Sequence, residues 1–593
     1  MDPAGEQQTK GETGMGDNWR ERISQPRYGI LTEKDVFVPV RDGVNLCVNI
    51  YRPDTPGKFP ALLAMGGYGK ELQEVLIPPQ PLQKSAVWDG NIEAGDTPDI
   101  VPRGYVHVIA DARGTGKSDG EYPGMWSSQE GRDGHDLVEW IARQPWCDGN
   151  VGMIGYSYYG CIQLKVAIEQ PPHLKAIFVS HLVNDFYRDG VYGGGVFSLF
   201  YYGIWDGRHG TSGFAPRNAP CLSMKEFPGE EFERRRQALL NDPDIRHYPN
   251  IYHLLNYPYK NPWVFDFLMH PYDGPFWRDR SIYPFIDKIK IPVFVVGKAA
   301  HGAGGFWDIY QGIQSAKKLL VKPFGPEERP WREDAELIIR WYDHWLKGTD
   351  TGIMREPPIR MFVPGINRWR EETEWPLPGT EWVKCYPRRW EGLAFAPERH
   401  QPHPDCFLQQ PLYLSNKRDS VKYVSVPMPE DVTVIGPAAF NFFASIDTDD
   451  TNWIVKLSDV APGGAETPLA KGYLKASHRA LDPEKSRPYA PYHRHVRSDP
   501  VVPGEINEYN VDLGKLANVF RGGHRIKLEI QSLESPRDPE MQIHYHPHLP
   551  GSRTTLHKIY RNQEYPSHLV LPIVGKKEHV MDYLSDENMV GAL

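Results

Sequence analysis

The chain has 593 residues, of which 40% are hydrophobic, 12% aromatic and 24% charged, as in folded globular proteins and unlike disordered ones. Its formal net charge of −9 excludes a broad basic surface for nucleic acid and gives no attraction to an anionic membrane. A chain of this length exceeds what one hydrophobic core usually serves, so two or three domains are expected. We therefore expect a multidomain protein whose partner is a small molecule.

Cysteine usage and the first residues bear on the compartment. The six cysteines are spread singly, without a Cys-x-x-Cys pair, so the sequence predicts reduced thiols and neither a zinc cluster nor a disulfide framework. Residues 1–25 are polar and charged where a secretory signal needs an apolar segment, and they predict a disordered lead. No apolar run approaches membrane-spanning length. These features predict a cytoplasmic protein with no membrane partner.

Strand and helix patterns alternate through the first part of the chain. Residues 35–53 alternate apolar and polar side chains around an Arg-Asp-Gly turn, which predicts a β-hairpin. Residues 59–67 and 105–116 are apolar runs that end in glycine-rich turns, as buried parallel strands do. Residues 131–146 place their apolar side chains on one helical face. The alternation predicts an open, mostly parallel, doubly wound sheet with helices on both faces and ligands at the carboxyl ends of its strands.

The rest of the chain divides into further parts. Residues 289–297 restore a strand and residues 336–348 a helix, after an aromatic, proline-rich and partly helical stretch that we interpret as an inserted cap. After about residue 355, strand patterns recur between turns and indicate an all-β sandwich. The predicted division is a lead at 1–25, a core at 26–179 and 286–354, a helical cap at 180–285, and a β-sandwich at 355–593.

A nucleophile motif stands at Ser157. The segment Gly-Tyr-Ser-Tyr-Tyr-Gly, residues 155–160, lies between an apolar strand and a helical stretch. A serine on a sharp strand-to-helix turn has strained backbone angles, and glycines on both sides prevent collisions. The spacing is one residue looser than the common Gly-x-Ser-x-Gly. The pattern together with its strand–turn–helix setting predicts that the Ser157 hydroxyl projects into a pocket.

Several separate segments resemble the CocE/NonD hydrolases, the group that contains cocaine esterase and the X-Pro dipeptidyl-peptidases. The segments with this resemblance are RDGVNLCVNIYRP, GGYGK, DARGTGKSDGEY, GYSYYG, RWYDHWLKGTDTGI, LKASHRALD and FRGGHRIKLEI. The resemblance covers nearly the whole chain from about residue 30. It implies an α/β-hydrolase core, a helical cap, a C-terminal jelly roll of the galactose-binding kind and the possibility of a homo-oligomer.

The same resemblance implies an oxyanion hole. Tyr68 matches the family tyrosine whose hydroxyl helps to bind the oxyanion, and the second donor is the backbone N–H that follows the nucleophile, here that of Tyr158. Two donors aimed at a developing negative oxygen stabilise acyl transfer, and losing one costs about 3–4 kcal/mol in such sites.

The base and its carboxylate do not stand at their family positions. Acyl transfer by serine needs a base and usually a carboxylate that orients it. In the family the aspartate follows the strand equivalent to residues 289–297, but the turn here reads GKAAHGAGGFWD. An ungapped reading puts His301 at the aspartate position, and Asp308 is the alternative carboxylate. The family histidine follows the next strand, yet residues 317–337 contain no histidine.

Three interpretations of the base stay open. His301 serves as the base in a rearranged pair with Ser157, or is a turn histidine that faces solvent. Another histidine, His181 or His209, folds over the pocket, while His344 lies inside a helix and has a structural role. In the third interpretation the triad is dismantled, because serine without a positioned base retains little acyl-transfer power.

The function follows with these alternatives. The leading hypothesis is a serine hydrolase that cleaves an ester or amide of a small, largely apolar molecule through an acyl-enzyme on Ser157, with His301 and Asp308 as its catalytic partners. The second is a cyclisation, elimination or isomerisation in secondary metabolism, and the third is a non-enzymatic binding protein. No metal or organic cofactor is predicted, since the sequence has neither a metal-spaced cluster nor a dinucleotide fingerprint. The residues assigned to substrate contact are Tyr156, His181, Tyr192, Trp205 and Trp307.

Overall fold

The structure of the protein is a computed structural model. It describes residues 18–74, 92–200, 218–299, 305–323, 332–398, 403–534 and 548–575. Trp205, His209 and His301 lie outside these ranges, as do residues 1–17 of the predicted lead. Residues 18–25 are ordered against the core, where the Ser24 hydroxyl donates to Asp343 Oδ1 at 2.7 Å.

A ten-stranded sheet forms the core. Its strands are β1 (Ile30–Pro39), β2 (Asn45–Pro53), β3 (Phe59–Gly66), β4 (Val106–Asp111), β5 (Cys147–Tyr156), β6 (Leu174–Ser180), β9 (Val293–Ala299), β10 (Lys317–Pro323), β11 (Ile359–Val363) and β12 (Arg368–Glu372). Their spatial order is β1-β2-β4-β3-β5-β6-β9-β10-β11-β12. The run from β4 to β11 is parallel, and the edge pairs β1–β2 and β11–β12 are antiparallel. This is the predicted α/β-hydrolase sheet, and its buried centre explains the continuous apolar runs of β3 and β4.

The core sheet extends further along the chain than the sequence predicts. β11 and β12 belong to this sheet, although both follow residue 355, where the predicted sandwich begins. Short strands with alternating side chains and a tight turn are typical of both a sheet edge and a sandwich, so the pattern alone does not separate the two.

Helices cover the sheet and build the cap. They are α1 (Thr97–Ile100), α2 (Ser128–Ala142), α3 (Tyr158–Ile168), α4 (Leu222–Glu226), α5 (Gly229–Asn241), α6 (Pro243–Arg246), α7 (Pro249–Asn256), α8 (Pro262–Met269), α9 (Pro275–Arg280), α10 (Gly305–Gly312) and α11 (Ala335–Trp345). α2 begins with a capping box between Ser127 and Glu130. Every residue of α3 is buried, because α3 lies between the sheet and α2. α4 to α9 form the helical cap, with a short hairpin of β7 (Tyr192–Gly193) and β8 (Val196–Phe197) before them.

The C-terminal part is all-β, as predicted. Its strands are β13 (Thr380–Arg388), β14 (Gly392–Ala394), β15 (Asp405–Gln409), β16 (Ser420–Ser425), β17 (Val432–Ile446), β18 (Asn452–Val460), β19 (Glu466–Lys475), β20 (Asn507–Phe520), β21 (Arg525–Gln531), β22 (Thr555–Tyr560) and β23 (His568–Val574). They enclose a second apolar core around residues such as Phe442, Trp453 and Tyr509. Within the described ranges, no helix has the length and apolarity needed to cross a bilayer.

Ion pairs and hydrogen bonds join this part to the core and the cap. Lys515 of β20 forms an ion pair with Asp308 of α10, with Nζ and Oδ2 2.7 Å apart. Three histidines, His478, His493 and His495, lie buried where the sandwich meets the segment before the cap helices and the segment between α8 and α9. There Arg188 Nη2 donates to the His493 carbonyl at 2.8 Å, and the Asp273 N–H donates to the His495 carbonyl at 2.9 Å.

Candidate active site

Ser157 occupies a sharp turn between β5 and α3. Its backbone has φ 54° and ψ −111°, which is in the region that L-residues rarely adopt. The Ser157 N–H donates to the carbonyl of Ser180, the last residue of β6, at 3.0 Å. The side chain therefore lies at the carboxyl edge of the sheet, where open α/β sheets bind their ligands.

The two flanking glycines are required by close contacts. Gly155 has φ 154°, and a Cβ on it would lie 2.3 Å from Tyr159 Cβ. A Cβ on Gly160 would lie 2.4 Å from the Ser180 carbonyl oxygen. The looser motif spacing is therefore compatible with an elbow, because at Gly160 there is no room for a side chain between α3 and the end of β6.

Tyr158 follows the serine and is fixed at both ends. Its hydroxyl donates to Glu130 Oε1 at 2.5 Å and lies 2.7 Å from the Tyr122 hydroxyl. Burial is the main cause that raises the pKa of Glu130 to about 8. The Tyr158 backbone N–H donates to Glu93 Oε2 at 3.0 Å. The predicted oxyanion donor therefore already has a carboxylate as its acceptor.

Glu93 is held by backbone contacts on both sides of the serine. Its carbonyl accepts the Tyr156 N–H at 3.0 Å, and its own N–H donates to Gln73 Oε1 at 2.7 Å. The next carbonyl, that of Ala94, is bonded to His107 Nε2 at 3.0 Å. Burial lowers the pKa of His107 to about 4, so this histidine is neutral near pH 7. Glu93 was not identified from the sequence, because no motif marks an acidic residue in a loop 64 positions before Ser157.

The loop that holds Tyr68 is anchored by the glycine-rich segment after β4. Asp111 Oδ1 accepts the Lys70 N–H at 2.7 Å, and its Oδ2 accepts the Lys117 N–H at 2.9 Å. A Cβ on Gly116 would lie 2.3 Å from the Asp111 carboxylate carbon, which explains the glycine. The Tyr68 ring packs edge-on against the Tyr158 ring with centroids 5.5 Å apart. The structure therefore brings Tyr68 and Tyr158 together beside the serine.

Of the two predicted catalytic partners, the structure describes Asp308. Asp308 lies inside α10, and its carboxylate binds Lys515 of the sandwich. His301 is outside the described residues. The roles of Asp308 and His301 in catalysis stay predictions. The described contact of the Asp308 carboxylate is the ion pair with Lys515.

The alternative histidines have defined surroundings where the structure describes them. His181 directly follows β6, and its Nε2 lies 2.7 Å from the Tyr156 hydroxyl. This pair is next to the serine turn, since Tyr156 precedes Ser157 and His181 follows Ser180. His344 lies in α11, packs edge-on against Trp345 and contacts the Thr349 carbonyl at 3.3 Å. His344 thus has the structural surroundings that the sequence predicts.

Two of the predicted substrate-contacting aromatics are packed in the interior. The Tyr192 hydroxyl donates to the Phe267 carbonyl at 3.1 Å, and its ring stacks on Tyr187. Trp307 stacks on Trp375 with centroids 3.8 Å apart. These are packing contacts, and substrate binding by Tyr192 and Trp307 stays a prediction. Among the described residues, no group of three or more His, Cys, Asp or Glu side chains is placed to hold a metal ion.

The sequence matches two family descriptions that together follow the architecture. Residues 42–325 match the X-Pro dipeptidyl-peptidase (S15) family, and residues 351–570 match the X-Pro dipeptidyl-peptidase C-terminal non-catalytic domain. The first range contains the elbow and the cap, and the second contains the β-sandwich together with β11 and β12.

Individual proteins are similar over nearly the full length. Cocaine esterase from Rhodococcus sp. (strain MB1 Bresler) is 26% identical over 607 residues, which covers 91% of this chain and 98% of the esterase. The crystal structure of a CocE/NonD family hydrolase from Staphylococcus aureus has a TM-score of 0.72 at 24% identity, covering 92% of this chain and 94% of that one. An α-amino acid ester hydrolase has a TM-score of 0.70 at 19% identity, covering 97% and 100%. The two structures support the fold.

Proposed function

Because the chain belongs to the CocE/NonD-type serine hydrolases, we propose that it hydrolyses an ester or amide of a small, largely apolar molecule through an acyl-enzyme on Ser157. The observation that carries this proposal is the strained turn of Ser157 between β5 and α3. The turn is flanked by Gly155 and Gly160, where a Cβ would collide with neighbouring atoms. A serine in this position presents its hydroxyl at the carboxyl edge of the sheet.

In the proposed reaction, the Ser157 oxygen attacks the substrate carbonyl carbon while a base takes the hydroxyl proton. The carbonyl oxygen becomes negative, and the Tyr68 hydroxyl and the Tyr158 N–H would donate hydrogen bonds that stabilise it. Collapse expels the alcohol or amine and leaves an ester on Ser157, which water then hydrolyses. His301 is the proposed base.

Labelling with a fluorophosphonate tests this function directly. We expect native protein to form a phosphonyl adduct on the peptide that contains Ser157, and Ser157→Ala to form none, as read by mass spectrometry. His301→Ala should slow labelling by roughly the 10²–10⁴-fold that a positioned acid–base group contributes. If native protein is labelled at other residues and not at Ser157, the proposal is contradicted.

One observation favours a second candidate, a non-hydrolytic reaction on the same scaffold. The Glu93 carboxylate accepts the N–H that acyl transfer needs. A buried carboxylate beside the serine turn suits proton transfer in a cyclisation, elimination or isomerisation. An absence of labelling in native protein, together with conversion of a substrate without loss or gain of water, would favour this candidate.

A further inference from the structure

A buried carboxylate oxygen accepts the backbone N–H that would bind the negative oxygen of a tetrahedral adduct on Ser157. Oxyanion-hole donors act at about 2.7–3.1 Å from the oxyanion, and in α/β hydrolases one donor is the N–H after the nucleophile. Here that N–H belongs to Tyr158, and Glu93 Oε2 accepts it at 3.0 Å. One N–H makes one strong hydrogen bond, so Glu93 and an oxyanion compete for the same donor.

The Tyr158 N–H has no partner within its own helix. It is the first residue of α3, and the first N–H groups of a helix lack intrahelical acceptors. A carboxylate at this end is also favoured by the helix dipole. The helix end that would stabilise an oxyanion therefore stabilises the Glu93 carboxylate instead.

Glu93 and Ala94 are held in place by hydrogen bonds. Glu93 itself is only 2% exposed. Gln73 Oε1 accepts the N–H groups of both Glu93 and Ala94, at 2.7 and 3.1 Å, and the Glu93 carbonyl accepts the Tyr156 N–H. The carboxylate is thus preorganised from both sides of Ser157, and moving it away requires a substrate that compensates for the lost hydrogen bond.

Charge acts in the same direction as geometry. A carboxylate near the developing oxyanion repels it, and this repulsion is larger in a buried site than in water. The neighbouring Tyr159 is in the same field: its pKa is raised first by burial and then by the charges of Asp111, Glu93 and Glu71. The surroundings of the serine turn are therefore unfavourable to a simple oxyanion.

We propose that Glu93 is a specificity-determining residue that withholds the Tyr158 N–H from simple neutral esters. Acyl transfer on Ser157 is then slow unless the substrate displaces the Glu93 carboxylate from this N–H. This inference rests on the proposed function, because it assumes that Ser157 is a nucleophile.

Two substitutions at Glu93 separate occupation of the donor from charge. Glu93→Ala frees the N–H and removes the charge, whereas Glu93→Gln removes the charge but keeps an oxygen that can accept the N–H. We expect the rate of fluorophosphonate labelling at Ser157 to rise at least about tenfold in Glu93→Ala, since one such donor is worth about 10²–10³-fold. Glu93→Gln should fall between Glu93→Ala and the native protein.

Glu336→Ala is the matched control, because this half-exposed glutamate lies on α11 and pairs with Arg20. Its labelling rate should equal that of the native protein. Hydrolysis of 4-nitrophenyl acetate should follow the same order as labelling in all four proteins. Thermal unfolding of each variant checks that the chain is folded.

Hydrogen exchange of the Tyr158 amide gives a readout that does not depend on serine reactivity. If Glu93 holds this N–H, exchange of the peptide that contains Tyr158 should be faster in Glu93→Ala than in native protein, and Glu336→Ala should leave it unchanged. Unchanged exchange in Glu93→Ala would overturn the contact and the proposal with it.

The outcomes separate this inference from the proposed function. Labelling of native protein at a rate that Glu93→Ala does not increase would overturn the role of Glu93 and leave the serine nucleophile standing. No labelling in the native protein or in either Glu93 variant would refute both. Labelling of native protein at Ser157 that becomes faster in Glu93→Ala would support both.

Discussion

Strain at single residues positions the nucleophile. A non-glycine residue at positive φ costs about 1–3 kcal/mol and persists only where surrounding contacts enforce it. At Ser157 those contacts are the hydrogen bond to Ser180 and the approach of α3 to β6 at Gly160. The backbone of the serine is therefore held by its neighbours and not by its own preference.

Gly160→Ala tests this arrangement. The added methyl group would lie 2.4 Å from the Ser180 carbonyl oxygen, so α3 has to shift away from β6. We expect a loss of about 1–3 kcal/mol in the free energy of unfolding, as for other overpacked sites, and slower labelling of Ser157. Urea unfolding measures the first quantity.

The control for this substitution is Gly463→Ala, where no atom lies within 4 Å of the added Cβ. Equal destabilisation of the two variants would show that Gly160 is not a site of close contact.

The sequence predicts the serine turn of the site but not Glu93. Ser157 and its glycines form a local motif, so the turn can be predicted from residues that are adjacent in the sequence. Glu93 reaches Tyr158 only because the fold brings a loop before β4 against the end of β5. Nothing in its local sequence distinguishes it from a solvent-exposed glutamate.

At the scale of elements, α3 is fixed by the strand before it and by α2. Glu130 of α2 closes the capping box with Ser127 and also accepts the hydroxyl of Tyr158. One carboxyl group therefore joins the start of one helix to the start of the other. The apolar spacing of residues 131–146 predicts α2, and the helical stretch after Ser157 predicts α3. Neither predicts this link, because buried polar contacts leave no periodic signal.

The pH dependence of stability should reveal this link. Burial raises the pKa of Glu130 in the folded protein to about 8, from 4.5 in the ordinary state. A raised pKa means that the folded state prefers the protonated carboxyl, so this stability is complete below about pH 4.5 and is lost as the pH rises through 8. Relative to Glu130→Gln, native protein should lose about 3–5 kcal/mol over this interval.

Urea unfolding of both proteins between pH 5 and 8.5 measures the difference. Glu130→Gln keeps the shape and the hydrogen-bond acceptor, so it serves as its own structural control. Parallel stability curves for the two proteins would contradict a protonated Glu130.

At the scale of the whole molecule, buried neutral histidines lie at the contact between the sandwich and the cap. We call this contact, which contains His478, His493 and His495, the seam. The Nδ1 atoms of His478 and His495 are 3.1 Å apart, and both rings contact tyrosines on the cap side of the seam. Burial is the largest cause that lowers the pKa of His478 to about 3 and that of His493 to about 4. Protonation of these side chains therefore favours the unfolded chain.

Acid should weaken this seam. The lowered pKa values mean that the histidine contribution to the free energy of unfolding is complete above about pH 6.5 and is lost as the pH falls toward 4. Each histidine loses about 1.4 kcal/mol for each pH unit in this range. His495 has φ 52°, which asparagine tolerates, so His495→Asn removes one titrating ring with little backbone strain.

Unfolding measured at pH 7.5, 6 and 5 should show a smaller loss of stability for His495→Asn than for native protein. Because Glu130 acts in the opposite direction, the comparison is between the two proteins at each pH. An equal slope in both would show that His495 does not bind a proton on unfolding.

The architecture was predictable because it depends on long, repeated patterns. The parallel strands, the cap helices and the all-β C-terminal part each extend over tens of residues. The sequence does not predict that β11 and β12, which follow residue 355, join the core sheet, since five-residue strands of alternating polarity fit either sheet. Ion pairs such as Asp308–Lys515 join positions about 200 residues apart and have no local pattern at all.

That ion pair has a consequence for the evolution of the gene. α10 is anchored to β20, which lies in the part of the chain that matches the X-Pro dipeptidyl-peptidase C-terminal non-catalytic domain. A recombination that exchanged the C-terminal region alone would separate Asp308 from the lysine that matches it. The two regions are therefore expected to be inherited as one unit, and lineages that change residue 308 should change residue 515 with it.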